Sequence, residues 1–300
     1  MAERYHAGEL AVQRRAGVEA MAQRVGMSIK ETMPPAAQAF VRELPLAVVA
    51  STDAQGDLWA SLLVGLPGFL EPVDAQTLDI NAVPFAGDPL ADNLATHSAV
   101  GLLLIDLATR RRMRVNGVAE VQPNGHLRLR ARQVYANCPK YIQARTLVPT
   151  FTQPMASPVL RTPLLTPDQQ HLIAHADTFF IATAHPEHGA DASHRGGNPG
   201  FVQIADAGTL LFPDYAGNTM FQTLGNIQSN SHAGMLFVDL TTGALVHLTG
   251  TAEIVWDAAV AAAFAGAERV VRFVVTAVVE LQGANPLRAT NVEPSPFNPA

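Results

Sequence analysis

Cysteine, charge and long apolar runs are all scarce in this chain of 300 residues. Cys138 is the one cysteine, which excludes a disulfide within the chain and is typical of a reducing compartment. Charged residues make up 15% of the sequence, and the net charge of −6 argues against a protein that coats nucleic acid. No uncharged apolar run reaches the roughly 18 residues that predict a membrane helix. The N-terminus, MAERYHAGEL, lacks the apolar core of a signal peptide. We therefore expect a globular cytoplasmic protein that binds neither nucleic acid nor a membrane.

Several catalytic motifs are also missing. There is no P-loop, no G-x-S-x-G elbow, and no G-x-G-x-x-G that opens a helix. His171 and His175 lie four residues apart on a predicted helix, but the glutamate of the zinc-protease motif is absent between them. No second cysteine exists to build a thiolate site. We predict no metal site, and we expect Cys138 to be a partly buried structural thiol.

The sequence contains an internal repeat. Residues 93–121 and 226–254 align without a gap at an offset of 133, with ten identities in 29 positions, among them Gly101/Gly234 and Gly117/Gly250. A second block at an offset of 132 aligns ASLLVGLPGF (60–69) with ASHRGGNPGF (192–201). The chain therefore consists of two copies of one unit, at roughly 34–145 and 165–285. The proline-rich segment at 147–167 is predicted to be a linker.

Each copy has the same predicted order of elements. A helix leads into an apolar strand and a second strand with the A-S-x-x-x-G-x-P-G-F signature; a third strand, a short helix and a strand hairpin follow. An alanine-rich helix is predicted near the end of the second copy. Short, mostly antiparallel strands with a few helices indicate a mainly β (α+β) protein built from two small barrels.

The two copies differ where chemistry is expected. Copy one has aliphatic residues at 62–64 and 66, whereas copy two has His194, Arg195, Gly196 and Asn198. The shared Gly197, Pro199 and Gly200 belong to the scaffold, because copy one keeps them. A cation, an imidazole, an amide and a bare backbone favour a flat, anionic ligand against this strand, although a solvent-facing strand with a glycine bulge explains them equally well.

Two further features of the sequence suit an anion. Asn218 is predicted to cap a short helix in copy two, whose free N–H groups and dipole would attract a phosphate, whereas copy one has Asp88 there. Arginines crowd one predicted hairpin of copy one, among them Arg111 and Arg112. If the copies pack as a pseudo-twofold pair, these arginines reach the ligand held by copy two; the alternative is a solvated basic face.

The motifs SHRGGNPGF, FPDYAGNTMFQTLGNI and LTGTAEI resemble the FMN-binding split-barrel superfamily of pyridoxamine 5′-phosphate oxidase, and WASLLVGLPGF and NCPKYIQ resemble its tandem bacterial branch. The resemblance covers nearly the whole chain. It implies two tandem split β-barrel units of the FMN-binding type, each with six strands, packed as a pseudo-dimer. We expect an N-terminal repeat with a helical extension at 1–150 and the main flavin-binding half at 151–300.

The resemblance also implies a cofactor site. It places Ser193, His194 and Arg195 along the flavin, with Gly196 and Gly197 near the ring, and Asn218, Met220 and Asn226 near the phosphate or ribityl chain. Arg195, or an arginine of copy one such as Arg111 or Arg112, would supply the charge for the phosphate. Asn198 completes the predicted cofactor set. The arginine and histidine that recognise pyridoxamine phosphate have no clear match, so that particular substrate is not expected.

Three functions follow from these residues. The first is an FMN-dependent oxidoreductase that acts on an unidentified small molecule. The second is a flavin-binding protein that stores, delivers or senses the cofactor without turnover, and the third is a haem-binding split barrel. Because no nicotinamide motif is present, a separate reductase partner would fit as electron donor, and association into a homodimer stays open.

Overall fold

The computed structural model describes residues 4–150 and 158–300. Strands make up 44% of the described residues. Three helices come first: α1 (Ala7–Arg15), α2 (Glu19–Gly26) and α3 (Pro35–Arg42). The first unit then contains β1 (Leu46–Thr52), β2 (Leu58–Val64), β3 (Leu70–Pro72), β4 (Thr77–Ile80), α4 (Leu90–Thr96), β5 (Ala99–Asp106), β6 (Arg111–Val121) and β7 (Leu127–Asn137). Two connecting strands follow, β8 (Ala144–Pro149) and β9 (Val159–Thr162).

The second unit repeats this order. It contains α5 (Pro167–His175), β10 (Thr178–His185), β11 (Gly189–Gly196), β12 (Gln203–Asp206), β13 (Thr209–Tyr215), α6 (Gln222–Ser229), β14 (His232–Val238), β15 (Leu245–Val255), α7 (Ala258–Ala261), β16 (Ala267–Leu281) and β17 (Leu287–Glu293). The first sheet has the order β2-β1-β5-β6-β7-β4-β3 and the second β11-β10-β14-β15-β16-β13-β12. Each strand of the first sheet therefore corresponds to the strand nine places later, which confirms the tandem repeat.

Neither sheet closes on itself, as expected of a split barrel. Each has seven strands in line rather than the six that the resemblance implies, and β9 adds an eighth to the second sheet by pairing with β16. The predicted mainly β fold of two tandem units is confirmed. The predicted alanine-rich helix is reduced to the four residues of α7.

The repeated glycines have structural causes. Gly117 and Gly250 lie at the register shifts between β6 and β7 and between β15 and β16, where a Cβ would overlap a carbonyl of the neighbouring strand. Gly101 and Gly234 lie where the two units touch. A Cβ on Gly101 would be 2.6 Å from the backbone nitrogen of Asp191, and one on Gly234 would be 2.8 Å from Cα of Trp59. Close backbone approach, which only glycine permits, accounts for all four identities.

The two units pack face to face through a shared apolar core. Each unit also has its own core under its sheet. The shared core takes residues from β1, β2 and β5 of the first unit and from β10, β11 and β14 of the second, among them Val48, Leu103, Phe180, Ala192 and Leu236. Because equivalent strands contribute from both sides, the units form the pseudo-dimer that the repeat predicts, and a groove runs along each side of the interface.

The predicted linker is partly sheet. Its described ends are strands: β8 pairs with β17, and β9 pairs with β16. The segment at 147–167 stays a predicted linker between the copies, and its described ends are regular strands because they pair with β16 and β17. Residues 151–157 of that prediction lie outside the described residues.

The N-terminal extension packs on the second unit. Helix α1 crosses α6 at two glycines, and a Cβ on Gly225 would lie 2.6 Å from Cα of Glu9. Gln13, fully buried, donates from Nε2 to the carbonyl of Met220 at 3.0 Å. The helix starts with a capping box, in which Glu9 accepts a hydrogen bond from the backbone N–H of His6 at 2.8 Å. The extension is thus held by buried polar contacts next to α6.

The buried carboxyl of Glu9 makes stability depend on pH. Burial raises the pKa of Glu9 to about 8, and burial lowers the pKa of His6 to about 4. Between pH 6.5 and 8 the folded protein therefore binds a proton at Glu9 that the unfolded chain has released. The free energy of unfolding consequently falls by about 2 kcal/mol as the pH rises through this range. We expect Glu9→Gln to remove this fall, measured by denaturant unfolding across that range. Glu19→Gln, at an exposed position of α2, should keep it; an unchanged slope in Glu9→Gln would contradict the assignment.

Candidate functional site

Strands β6 and β11 bring basic residues from both copies together. The groove between them encloses a cavity of about 80 Å³ that is lined by Arg112 and Arg114 of copy one and by Ser193, His194, Arg195, Gly196 and Asn218 of copy two, among others. A neighbouring cavity of about 60 Å³ is lined by Arg114, Arg195 and the start of α6. Arg112 of copy one therefore lies beside residues of copy two in one groove, as predicted. Not every predicted site residue lies there.

Arg112 is a cation that lacks a carboxylate partner among the described residues. It donates to the carbonyl of Cys138 at 2.9 Å and to that of His194 at 3.3 Å. Burial, together with Arg114 and Arg195, lowers its pKa to about 9. An arginine surrounded by carbonyls and by other cations keeps its charge at neutral pH and favours an anion.

The contact with Arg112 sets the tautomer of His194. Arg112 Nη1 lies 2.9 Å from His194 Nδ1, and because a guanidinium only donates, Nδ1 must accept. The proton of the neutral ring is then on Nε2, which is buried and has no hydrogen-bond partner within the described chain. Burial and the neighbouring arginine Arg112 hold the pKa of His194 well below its usual value. His194 is therefore a neutral imidazole with one unused N–H donor.

Arg114 is held by a buried network across the unit interface. Its Nη1 lies 3.0 Å from an oxygen of Asp191, and its Nη2 donates to the hydroxyl of Ser193. Tyr135 and Asn116 donate to the same aspartate at 3.0 and 3.1 Å. The charge of Arg114 is compensated, but its Nε has no partner among the described residues.

Arg195 shares a buried aspartate with Arg269. Asp214 lies 3.2 Å from Arg195 Nη1 and 2.7 Å from Arg269 Nη1. Burial raises the pKa of Asp214, and the two arginines oppose that shift. The Nε of Arg195 is buried without a partner in the described residues. Arg269 also pairs with Glu268 at 2.6 Å, so the four arginines of this network face three carboxylates and the charges favour an additional anion.

Helix α6 begins without a side-chain cap. Its N-cap residue is Phe221, which has a left-handed backbone at φ 61°, as does Thr219 at φ 63°. The second cavity is lined by Gln222, Thr223 and Leu224 of its first turn. Uncapped N–H groups next to Arg114 and Arg195 form an arrangement that suits a phosphate. Asn218 was predicted to cap this helix, which was wrong: α6 starts at Gln222, and Asn218 instead accepts a hydrogen bond from the N–H of Met220.

Five predicted site residues lie away from the two cavities. Arg111 stacks over the ring of Phe40 at 4.5 Å, on the opposite face of β6 from Arg112. The side chain of Met220 is buried in a cluster with Tyr5 and Tyr135. The others are accounted for by structural contacts: Asn226 binds His6 and Thr183, Asn198 binds Asn298 and the carbonyl of Pro299, and a Cβ on Gly197 would meet Phe201.

The bare backbone at Gly196 also has a structural cause. A Cβ there would overlap the carbonyl oxygen of Tyr141. Tyr141 has a left-handed backbone at φ 64°, its ring lies 4.9 Å from that of Tyr215, and its hydroxyl donates to the carbonyl of Ala216. The loop that carries Tyr141 thus covers the groove, and Gly196 makes room for it.

The sequence analysis missed the buried carboxylates and their partners. Asp191, Asp214, Tyr135 and Arg269 organise the groove, yet none was predicted. The repeat contained one usable signal, because Asp191 occupies the position of Trp59 in copy one. A charged residue where the other copy has a large aromatic residue indicates a local polar network.

Three histidines lie close together near the start of α1. The rings of His6 and His185 lie 4.1 Å apart, with His188 close by. Even so, no group of three or more potential ligands in residues 4–150 and 158–300 is arranged to hold a metal ion. Within the same residues, no helix has the length and apolar character needed to cross a bilayer.

The fold is that of a tandem split barrel with a basic groove between its two units. The chain belongs to the pyridoxamine 5′-phosphate oxidase family, because the sequence profile of that family matches it twice, at residues 33–154 and 165–295. The two matches agree with the internal repeat. No curated protein matches the chain.

Solved structures of similar proteins each match about two fifths of the chain. HupZ from Group A Streptococcus is 20% identical with a TM-score of 0.31, over 37% of this chain and 89% of its own. A putative pyridoxamine 5′-phosphate oxidase from Lactobacillus delbrueckii is 21% identical with a TM-score of 0.32, over 39% and 94%. An FAD binding protein from Mycobacterium smegmatis is 16% identical with a TM-score of 0.29, over 40% and 99%.

Proposed function

We propose that the chain binds FMN in the groove between β6 and β11, with the phosphate at the start of α6. The observation that carries this proposal is the uncapped first turn of α6 beside Arg114 and Arg195, whose Nε atoms are buried without partners. Membership of the pyridoxamine 5′-phosphate oxidase family supports a flavin as the phosphate-bearing molecule. Arg112, which lacks a carboxylate partner in the described chain, adds charge along the same groove.

The groups present fit the phosphate end of FMN better than its ring. Cavities of about 80 and 60 Å³ have room for a phosphate, whereas pockets that hold molecules of this size usually measure roughly 300–1,000 Å³. The ring needs the loop of Tyr141 to move away from Tyr215. Several hydrogen bonds hold this loop and would have to change. The hydroxyl of Tyr141 donates to the carbonyl of Ala216 at 3.2 Å and its N–H to Ser295 at 3.1 Å, while Gln143 donates to the carbonyl of Tyr141 at 3.1 Å and Arg112 to that of Cys138 at 2.9 Å.

A bound flavin would supply hydride or electron transfer, while the protein binds and orients it. His194 offers a neutral N–H donor from Nε2, suited to a ring nitrogen or carbonyl oxygen. It is a poor general acid because its pKa lies well below the usual value. Arg112 and Arg195 stabilise negative charge on the ligand. These residues support an FMN-dependent oxidoreductase that uses its flavin rather than a side chain for the chemical step.

A flavin carrier or sensor without turnover is the second candidate. The observation that favours it is the covered groove. Tyr141 and Tyr215 lie over it, and the cavity of about 80 Å³ has no room for a substrate beside the flavin ring. The haem-binding alternative stays a prediction that no contact in the groove favours.

Titration with FMN tests the proposal. We expect saturable binding with quenched flavin fluorescence, and we expect riboflavin, which lacks the phosphate, to bind about 100-fold more weakly because charge-assisted hydrogen bonds contribute roughly 1.5–3 kcal/mol. Equal affinities would contradict the phosphate site, and no binding of either would contradict the proposal. Anaerobic bleaching by NADH or NADPH, followed by reoxidation in air, then separates an oxidoreductase from a carrier.

A further inference from the structure

The repeat relates the groove between β6 and β11 to the contact between β15 and β2, which we call the N-terminal groove. It has the same backbone but different side chains. Position by position, Leu63 replaces Arg195, Leu245 replaces Arg112 and His247 replaces Arg114, whereas Ser61 matches Ser193. Leu63 and Leu245 are completely buried in apolar clusters. The N-terminal groove has therefore lost the arginines that make the C-terminal groove basic.

A buried carboxylate lies in this N-terminal groove. The side chain of Asp88 has no exposed surface, and neither has that of His247. One oxygen of Asp88 accepts hydrogen bonds from the hydroxyl of Ser61 at 2.6 Å and from the N–H of Leu90 at 2.9 Å. The other oxygen lies 3.8 Å from Nε2 of His247. An internal anion thus contacts a hydroxyl, a backbone N–H and an imidazole.

The partners of Asp88 have equivalents in the C-terminal groove. The offsets of the repeat pair Ser61 with Ser193, His247 with Arg114, and Leu90 with Thr223. Arg114 donates to Ser193, and both Arg114 and Thr223 line the cavity at the start of α6. The residue at the position of Asp88 is Phe221, which brings no carboxylate into that groove. In the C-terminal groove Arg114 is paired with Asp191 of β11, but its Nε has no partner among the described residues, and no carboxylate stands at the position of Asp88 beside the first turn of α6.

We propose that the Asp88 carboxylate fills, in the N-terminal groove, the position that an anionic group of the ligand takes in the C-terminal groove. The chain therefore takes one anionic ligand rather than two. This stoichiometry rests on the proposed function, whereas the role of Asp88 as an internal substitute for the anion does not.

Rescue by a small carboxylate tests the role of Asp88 without any flavin. Asp88→Ala leaves the hydroxyl of Ser61 and the N–H of Leu90 buried without their acceptor, so we expect Tm to fall by about 10 °C. Formate at 100 mM, compared with chloride at equal ionic strength, should restore about half of that loss by entering the vacated position. Asp92→Ala, at an exposed position of the following helix α4, and Asp88→Asn, which keeps the position filled, should not respond. Equal responses of all three variants to formate would overturn the proposal.

Calorimetric titration of the unchanged protein with FMN gives the second measurement, which holds even if Asp88→Ala does not fold. One site per chain supports the proposal, and two sites per chain would overturn it. Absence of FMN binding would contradict the proposed function, while formate rescue of Asp88→Ala would still establish the internal anion. The two failures are therefore distinguishable.

Discussion

We expect Arg112→Ala to weaken FMN binding by about 100-fold and Arg111→Ala to leave it within about twofold. The two arginines are neighbours on β6 and point to opposite faces of the strand. Arg112 lies in the groove beside His194, without a carboxylate partner in the described chain, whereas Arg111 packs on Phe40. Loss of one charge-assisted contact to an anion costs roughly 1.5–3 kcal/mol, which corresponds to about 10- to 150-fold in affinity.

Fluorescence titration of the two variants, each compared with its own unfolding curve, measures this difference. Arg111→Ala serves as the matched control because it removes the same charge from the same strand. The pKa of Arg112, about 9, adds a check: affinity for FMN should fall above that pH in the unchanged protein and not in Arg112→Ala. Similar losses in both variants would mean that the arginines act through overall charge, and the groove between β6 and β11 would not be the phosphate site.

The repeat made most of the fold predictable from the sequence. Two copies of a pattern must form the same unit, so uncertainty about one strand was reduced by the other copy. The identities at Gly101/Gly234 and Gly117/Gly250 mark contacts that the backbone of this fold requires in both units. The strands β8, β9 and β17 were missed because their pairing depends on the distant C-terminal segment, and local sequence carries no signal of that kind.

The site was only partly predictable. Comparison of the copies identified His194, Arg195 and Arg112, since a polar residue opposite an aliphatic one reports a difference in surroundings. Asn226 was predicted from the family resemblance instead, although the equivalent Asn93 is present in copy one: each asparagine donates to a hydroxyl of the neighbouring strand, at 3.0 Å for Thr183 and 2.9 Å for Ser51. A residue shared by both copies is scaffold, and the resemblance to a family does not override that rule.

Strand alternation explains the error at Arg111. Sequence shows that Arg111 and Arg112 lie on opposite faces of β6, but not which face meets the other unit. That choice depends on the packing of β6 against β11, which forms only when both units are folded. The buried aspartates were missed for a similar reason: Asp191 and Asp214 are acceptable in a core only because arginines distant in the sequence compensate them.

The contact between the units leads to the second large effect. We expect Gly101→Ala and Gly234→Ala each to lower the free energy of unfolding by about 3 kcal/mol, because the added Cβ meets backbone atoms of the other unit, which cannot rotate away. Gly217→Ala, whose Cβ would meet only the carbonyl oxygen of Tyr215 at an ordinary contact distance of 3.9 Å, should change stability by less than about 0.5 kcal/mol. Denaturant unfolding measures all three, and equal stabilities would contradict the close packing of the units.

The same substitution should have different consequences for the ligand at the two equivalent positions. A Cβ on Gly101 displaces Asp191, which holds Arg114 at the groove, so FMN affinity should fall about tenfold as well. A Cβ on Gly234 displaces Leu58 and Trp59. The ring N–H of Trp59 donates to Asp53, and neither residue belongs to the hydrogen-bond network of the groove arginines, so affinity should stay within about twofold. Titration with FMN in the folded range separates the outcomes. Equal losses of affinity would mean that the groove depends on interface packing as a whole; a loss confined to Gly101→Ala would assign binding to the side of the interface that holds Arg114 and Asp191.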